Sequence, residues 1–444
     1  MQDYTPKSLA VAVAELSKTK DEKICLDLCA GSGALTIQKW NENNDLKFIC
    51  KEYDSRVIPF LLFNLAIRNI DAEVIHCDVL SDENFKTYRT QKGDRFATVK
   101  EVDKSEFKAD CCISNPPYNM KWEQPVFAQL QNRFSQCEVP PESNANYAFI
   151  LTALDEINGK ASFILPNGVL STDNQKEKQI RQYLVEMNFI ESIIVCPDKM
   201  FEVTSIPTCI ITFNKNKKHS TIEMIDLRQR YETEQRMQNG QFGGKSHTNR
   251  TYAKEVKIIS ESQIQDVLIQ IEQYGNIAGY CKAVSIEEIK NNNYVLVPSR
   301  YIEFENIENA HRPYNEIVAD INRIITEKNT CKLTINETIA KSLGFDIELF
   351  KQDNGTNNDF SKLTEKICGE KIVKNDYFKT TKNKNEITFS NNSKENISSI
   401  LMMIFNTWKQ HIYYLNFEEN RYLAELRDAL LPELMSGKID VSNI

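Results

Sequence analysis

The 444-residue sequence contains no C-x-x-C pair, and its five histidines are scattered with no H-x-x-x-H among them. The common zinc-ligand spacings are therefore missing, and no structural metal is expected. The twelve cysteines include several that stand singly in apolar runs, such as Cys25, Cys50, Cys196 and Cys209, which is the usage of a reducing compartment. No apolar run approaches the roughly 18 residues that a membrane span needs, residues 400–405 being among the longest, and the N-terminus carries no signal pattern. The expectation is a cytoplasmic protein without membrane contact. Positive charge is also in deficit: 54 Lys and Arg against 62 Asp and Glu leave a net charge of −8. That excludes a surface that is everywhere a phosphate-binding stripe, but leaves room for a local basic rim. Lys215, Lys217 and Lys218 form one candidate rim, with a solvated loop after a strand as the other reading. A phosphate loop at Gly244-Lys245-Ser246 fails because the glycine needed five positions before Gly244 is Asn239. No Cys or Ser nucleophile motif is present either.

At 41% hydrophobic and 26% charged residues, the composition is that of an ordinary globular chain, and the length suits two domains. Short β-branched runs at residues 24–28, 47–51, 73–77, 109–114, 160–165, 190–196 and 207–213 predict seven strands. Apolar residues recur at helical spacing over 6–17, 35–42, 56–69, 145–157 and 177–187. This alternation predicts an α/β fold, a Rossmann-like, mostly parallel seven-stranded sheet with helices on both faces. Residues 83–108 interrupt the alternation and read as a polar insertion, and 239–250, rich in Gly, Asn and Gln, read as a loop. From about Glu305 the pattern turns helical, which places a boundary between residues 1–305 and a mainly helical region 306–444. Leu401, Phe405, Trp408, Ile412, Leu415, Leu423, Leu426 and Leu430 then form an apolar stripe closed by Pro432 and Gly437, either facing another helix or partner or belonging to an ordinary core.

Chemistry concentrates where the first four strands end. Asp27-Leu28-Cys29-Ala30-Gly31-Ser32-Gly33-Ala34 turns a strand into a helix, and its glycines let a ligand approach the backbone beside the free N–H groups of a helix start. Glu52 follows Gly33 by 19 residues, close to the offset at which an acid meets a ribose. Asp54 is assigned to capping the next helix. Asp78 ends the third strand, where it can serve either as a turn aspartate or as an acceptor for an adenine amine. Asn115-Pro116-Pro117-Tyr118 follows the fourth strand. An aromatic exocyclic amine is a poor nucleophile, since its lone pair is conjugated into the ring. The Asn115 side-chain oxygen and the Pro116 carbonyl can accept its two hydrogens and return density to nitrogen, aimed at a methyl sulfonium, while Tyr118 stacks on the base. Pro116 and Pro117 hold the turn rigid.

In these motifs the sequence resembles the amino-methyltransferases, and specifically the modification subunit of type I restriction-modification systems, over about residues 1–305. Tyr4-Thr5-Pro6 is similar to the family's segment before the first strand, and Asp27 to Gly33 to its Asp-Pro-x-x-Gly-Ser-Gly, with Leu28 in place of proline. Gly159-Lys160-Ala161, Leu165-Pro166-Asn167-Gly168-Val169-Leu170, Pro197-Asp198-Lys199-Met200-Phe201 and Ile206-Pro207-Thr208-Cys209-Ile210 extend the resemblance. It implies a site-specific adenine-N6 DNA methyltransferase of the bacterial cytoplasm. S-adenosyl-L-methionine would be held by Thr5, Asp27, Ala30, Gly31, Ser32, Gly33, Glu52 and Asp78. Asn115 to Tyr118 would form the catalytic pocket for a flipped adenine, and Phe201 is either a pocket wall or a core aromatic. Implied partners are double-stranded DNA, a specificity subunit or a second copy docking through the C-terminal helices, and a restriction subunit. The family's long helical domain usually precedes the Thr-Pro segment, whereas this sequence begins almost at that segment. Leu426 to Ile439 resembles instead the C-terminal end of type I specificity subunits. The same chemistry on cytosine N4, RNA or protein glutamine, and a catalytically idle DNA-binding scaffold, are the alternatives.

Overall fold

The computed structural model describes residues 5–81, 83–103, 108–201, 206–239, 251–303, 311–343, 359–372 and 395–435. The chain forms two compact units, Met1–Glu305 and Asn306–Ile444. In the first, the order is α1 (Lys7–Leu16), β1 (Ile24–Asp27), α2 (Ala34–Glu42), β2 (Lys47–Glu52), α3 (Ile58–Ile67), β3 (Ala72–Asp78), β4 (Glu83–Gln91), β5 (Thr98–Glu101), β6 (Ala109–Ser114), α4 (Asn146–Glu156), β7 (Ile157–Pro166), α5 (Gln175–Glu186), β8 (Ile190–Val195), β9 (Thr208–Asn214), β10 (Thr221–Asp226), β11 (Glu232–Asn239), β12 (Thr251–Ile258), α6 (Glu261–Gln273), β13 (Asn276–Ile277), β14 (Cys281–Ser285) and α7 (Ile286–Asn291).

The main sheet has twelve strands in the order β13-β14-β10-β8-β9-β7-β6-β1-β2-β3-β4-β5. All but β4, β9 and β14 run the same way. The seven strands expected from sequence are its middle, from β3 to β8. Their near-continuous apolar character follows from burial on both faces, as in β8, where every residue is buried. Helices α1, α2, α3 and α6 cover one face through Leu9, Val13, Leu35, Leu61, Leu65 and Ile264. The other face packs on α4, α5 and α7 through Phe149, Leu154, Ile180, Leu184 and Ile289. The strand order reverses at β1, between β2 and β6, which opens the crevice in which such sheets bind ligands at their carboxyl edge.

Two expectations change, and one hairpin is added. Residues 83–108 are not a featureless insertion: β4 and β5 extend the sheet by antiparallel pairing on β3. β5 is exposed along its whole length, so it carries no apolar alternation to read. The lysine cluster is neither a rim nor simply solvated. Lys215 Nζ donates to the carbonyls of Leu154 (2.9 Å) and Ile157 (3.0 Å), and Lys217 Nζ donates to that of Ile190 (2.6 Å). These contacts lie where β7 and β8 begin, at the opposite edge from the crevice. Finally, the polar strands β11 and β12 pair as a separate antiparallel hairpin. The phosphate-loop and loop readings on residues 240–250 lie outside the described residues.

In the second unit, α8 (Tyr314–Leu343), α9 (Asp359–Cys368) and α10 (Glu395–Met435) are helical. The α8 residues Ile317, Ile321 and Ile324 pack against Leu415, Leu426 and Leu430 of α10. The helices run antiparallel. Arg312 clamps Glu425 with two bonds of 2.8 and 2.9 Å, while Lys328 reaches Glu419 further along. The described part of the apolar stripe thus forms a core within this unit, with Ile412 and Leu423 half-buried against it. The helix continues past Pro432 to Met435, so that proline does not close it. The side chains of Leu401, Phe405 and Trp408, and Gly437, lie outside the described residues.

Candidate active site

Strand β1 runs into a turn whose shape rests on left-handed backbone at Gly31 (φ 54°) and Gly33 (φ 91°). A Cβ on Gly33 would meet Leu61 Cδ1 at 2.9 Å, a contact the leucine end can relieve, so the left-handed backbone is the stronger demand for glycine there. At Gly31 the position of a Cβ is open space, which leaves the backbone bare toward the cavity. The Ala30 N–H donates to the Lys51 carbonyl (2.9 Å) and the Gly31 N–H to Glu52 Oε2 (2.7 Å). Glu52 Oε1 accepts from the Asp54 N–H (2.8 Å), which aims the carboxylate along the end of β2. Beneath them, Lys51 Nζ is paired with Glu156 at 2.6 Å.

Asp27 is fully buried. Its Oδ2 accepts the Thr36 hydroxyl at 2.6 Å and its Oδ1 has no partner. Burial pushes its carboxyl up to about 7, against the Thr36 hydrogen bond, and the neighbouring Glu52 charge adds to the rise. Asp54 accepts from the Arg56 N–H and guanidinium rather than capping α3, whose N-cap is Val57 without a side-chain bond. This corrects the capping assignment. The cause is the extra turn between β2 and α3, which places Asp54 ahead of the helix. Asp78 accepts from the Leu80 N–H (2.9 Å) as a turn aspartate and also faces the crevice.

Strand β6 delivers Asn115 to the same edge. Its Nδ2 donates to Thr5 Oγ1 (2.9 Å), just ahead of α1, and its Oδ1 accepts the Tyr118 hydroxyl at 2.7 Å. Tyr118 packs edge-on against Phe201, with ring centroids 6.3 Å apart and planes at 87°. Arg133 braces the opposite wall, donating to the carbonyls of Val79 (2.9 Å) and Leu80 (2.5 Å).

One cavity of about 1510 Å³ unites these pieces. Among the expected residues, Thr5, Ala30, Gly31, Ser32, Glu52, Asp78, Asn115, Pro116, Pro117, Tyr118 and Phe201 line it. Asp27 and Gly33 do not line it and stand behind the wall, shaping the turn. Phe201 combines both of its readings, since it is 4% exposed and still at the wall. Sequence reasoning missed Tyr53 and Phe60, two exposed aromatic rings on the wall beside Glu52. The direct succession Glu52-Tyr53 was a usable signal, because an aromatic beside a ribose-facing acid can stack on a purine. It also missed Lys51, which directly precedes Glu52 on β2, and Trp122 and Phe149, which arrive from other elements. Among the described residues, no group of three or more His, Cys, Asp or Glu could hold a metal ion, and no helix is long and apolar enough to cross a membrane.

A glycine turn, an acid at the end of β2 and an amide-proline turn at the end of β6, all opening on one cavity at the switch point, belong to an α/β methyltransferase. The structure of the methyltransferase subunit of a type I restriction-modification system from Streptococcus thermophilus has the same fold, with a TM-score of 0.54 and 23% identity over 68% of this chain and 59% of that one. The chain belongs to the N-6 DNA methylase family, whose model matches residues 2–310. Similar proteins include the type I restriction enzyme HindI methylase subunit of Haemophilus influenzae, 27% identical across 77% of this chain and 73% of that subunit. The MjaIX methylase subunit of Methanocaldococcus jannaschii is 25% identical across 77% of this chain, which spans only 59% of that relative's length.

Proposed function

We propose that this chain transfers the methyl group of S-adenosylmethionine to N6 of a flipped adenine in double-stranded DNA, as the methylase subunit of a restriction-modification system. The observation that carries this reading is the sharing of one cavity by Asn115, Tyr118, Gly31 and Glu52.

The residues present fit the cofactor. The open space over Gly31 admits a ligand against the backbone, and the Glu52 carboxylate suits a ribose diol. Asp78 suits an adenine amine, and the rings of Tyr53 and Phe60 suit a purine face. Bound there, S-adenosylmethionine would supply an electron-poor methyl carbon. The chain's own part is to raise the nucleophilicity of the target amine. Asn115 Oδ1 and the Pro116 carbonyl accept its two hydrogens, and lone-pair density returns to nitrogen. Tyr118 stacks on the base, and the two prolines fix the acceptors before the base arrives. Asn rather than Ser ahead of the prolines favours adenine over cytosine. Recognition of a DNA sequence is assigned to a partner specificity subunit, with the C-terminal helices as its docking region and a restriction subunit completing the system.

Glu52→Gln keeps the side chain's size and removes its charge. It is expected to weaken S-adenosylmethionine binding by about 10- to 100-fold, the range of a hydrogen bond to a charged group, as read by titration calorimetry. Unchanged affinity would remove Glu52 from the cofactor site. The substrate itself is tested by incubating DNA with the protein, a co-expressed specificity subunit and methyl-labelled cofactor, then separating the nucleosides by mass spectrometry. Label in N6-methyl-2′-deoxyadenosine is expected. Label in N4-methyl-2′-deoxycytidine would shift the substrate, and a well-folded protein that binds no S-adenosylmethionine would favour the idle scaffold.

A further inference from the structure

We infer that Thr5 is a positioning residue that holds the Asn115 carboxamide with its oxygen toward the target amine; this rests on the proposed amine chemistry of the site. An asparagine side chain ends in a broad, roughly two-fold torsion, so its own rotamer preference does not decide between presenting oxygen and presenting NH2. The difference is decisive here. Only the oxygen can accept a hydrogen from an exocyclic amine, whereas an NH2 group would set donor against donor.

The chain supplies a hold on the amide from outside the turn. Thr5 Oγ1 takes a hydrogen from Asn115 Nδ2 at 2.9 Å, across 110 positions of sequence. The amide oxygen is then the end left for the cavity. It already accepts an O–H there, from Tyr118 at 2.7 Å. The Tyr118 hydroxyl takes the donor's part in this arrangement, the part an amine N–H would take. Pro6 directly follows Thr5, and α1 begins at Lys7 with Leu9, Ala10 and Val13 buried against the sheet, so Thr5 is held by a rigid element rather than by a free strand end. Thr5 also lines the cavity. Its position alone would equally suit a cofactor contact, and the two roles separate by experiment.

In single-turnover methyl transfer at saturating cofactor, Thr5→Val should slow the chemical step about tenfold, the value of one hydrogen bond, with the calorimetric Kd for S-adenosylmethionine within twofold of wild type. Thr5→Ser should restore the rate. In parallel, the side-chain amide protons of Asn115, assigned by NMR through their loss in Asn115→Ala, should shift in Thr5→Val and stay in place in Thr5→Ser, with no substrate added. A Thr5→Val variant with weakened cofactor binding and an unchanged saturated rate would overturn the inference in favour of a cofactor contact. An unmoved Asn115 amide signal would overturn it whatever the activity. A shifted signal in a protein whose wild type methylates no DNA would uphold the positioning contact and overturn the proposed substrate instead.

Discussion

Asn115→Ala should lower methyl transfer by about 100- to 1000-fold, the loss seen when one preorganised polar group that stabilises developing charge is removed. S-adenosylmethionine affinity should remain within about twofold, because the cofactor's candidate contacts at Gly31, Glu52 and Asp78 belong to other elements. The variant removes the whole carboxamide: Oδ1, which accepts from Tyr118, and Nδ2, which donates to Thr5. Pro116 and Pro117 still hold the turn, so the fold has no reason to fail. Single-turnover kinetics and calorimetry on the same preparation separate the two effects. A variant with unchanged turnover would remove Asn115 from the chemistry, and one that loses cofactor binding as well would show that the turn, rather than the amide, had been damaged.

Glu223→Gln should stabilise the protein, by an amount that grows with pH. Glu223 lies on β10 beside Ser192, and the row continues through Thr212 to Ser162, a polar line across the middle of the sheet. Ser162 and Thr212 hydrogen-bond each other at 3.0 Å. The Ser192 hydroxyl and both Glu223 oxygens are buried without a partner. Burial pushes the Glu223 carboxyl up to about 8, with the nearby Lys217 ammonium opposing the rise, and Lys217 is itself pushed down to about 8 by burial. For an acid whose pKa is raised on folding, stability is full below the unfolded value of 4.5 and is lost as pH rises through the folded value of about 8. Glutamine carries no charge to bury, so the variant should gain roughly 4 kcal/mol over wild type near pH 8 and little near pH 4.5. Denaturant melts across this window measure the difference directly. A gain independent of pH, or none, would mean that Glu223 is solvated or paired in solution.

The legible part of the fold was the part with a buried face. The middle seven strands announce themselves because each is packed on both sides, so apolar residues run through them unbroken. β5 and β11 do not, since their hydrogen bonds are to neighbouring strands while their described side chains are largely solvent-facing. Local sequence therefore records their polarity and not their pairing. The site divides the same way. Gly31, Glu52 and Asn115 were legible because each motif lies at the end of a recognisable strand and requires a particular residue type. Lys51 and Glu156 were not, because their pairing joins residues 105 positions apart. The lysines at 215 and 217 misled for a related reason. A charge run states nothing about direction, and here the four-carbon stems carry two of the ammonium groups back to carbonyls at strand starts. Asp27 was legible as important, yet its contact with Thr36 places it behind the turn instead of at the cavity.

The measurement that tests the central claim most directly is single-molecule sequencing of the genome of a bacterial host lacking adenine methylation. The chain would be expressed with its specificity subunit, and Asn115→Ala would serve as control. N6-methyladenine confined to one sequence motif, and absent from the control, is the predicted result. An unmodified genome beside soluble, cofactor-binding protein, or the same modification in the Asn115→Ala strain, would contradict the account.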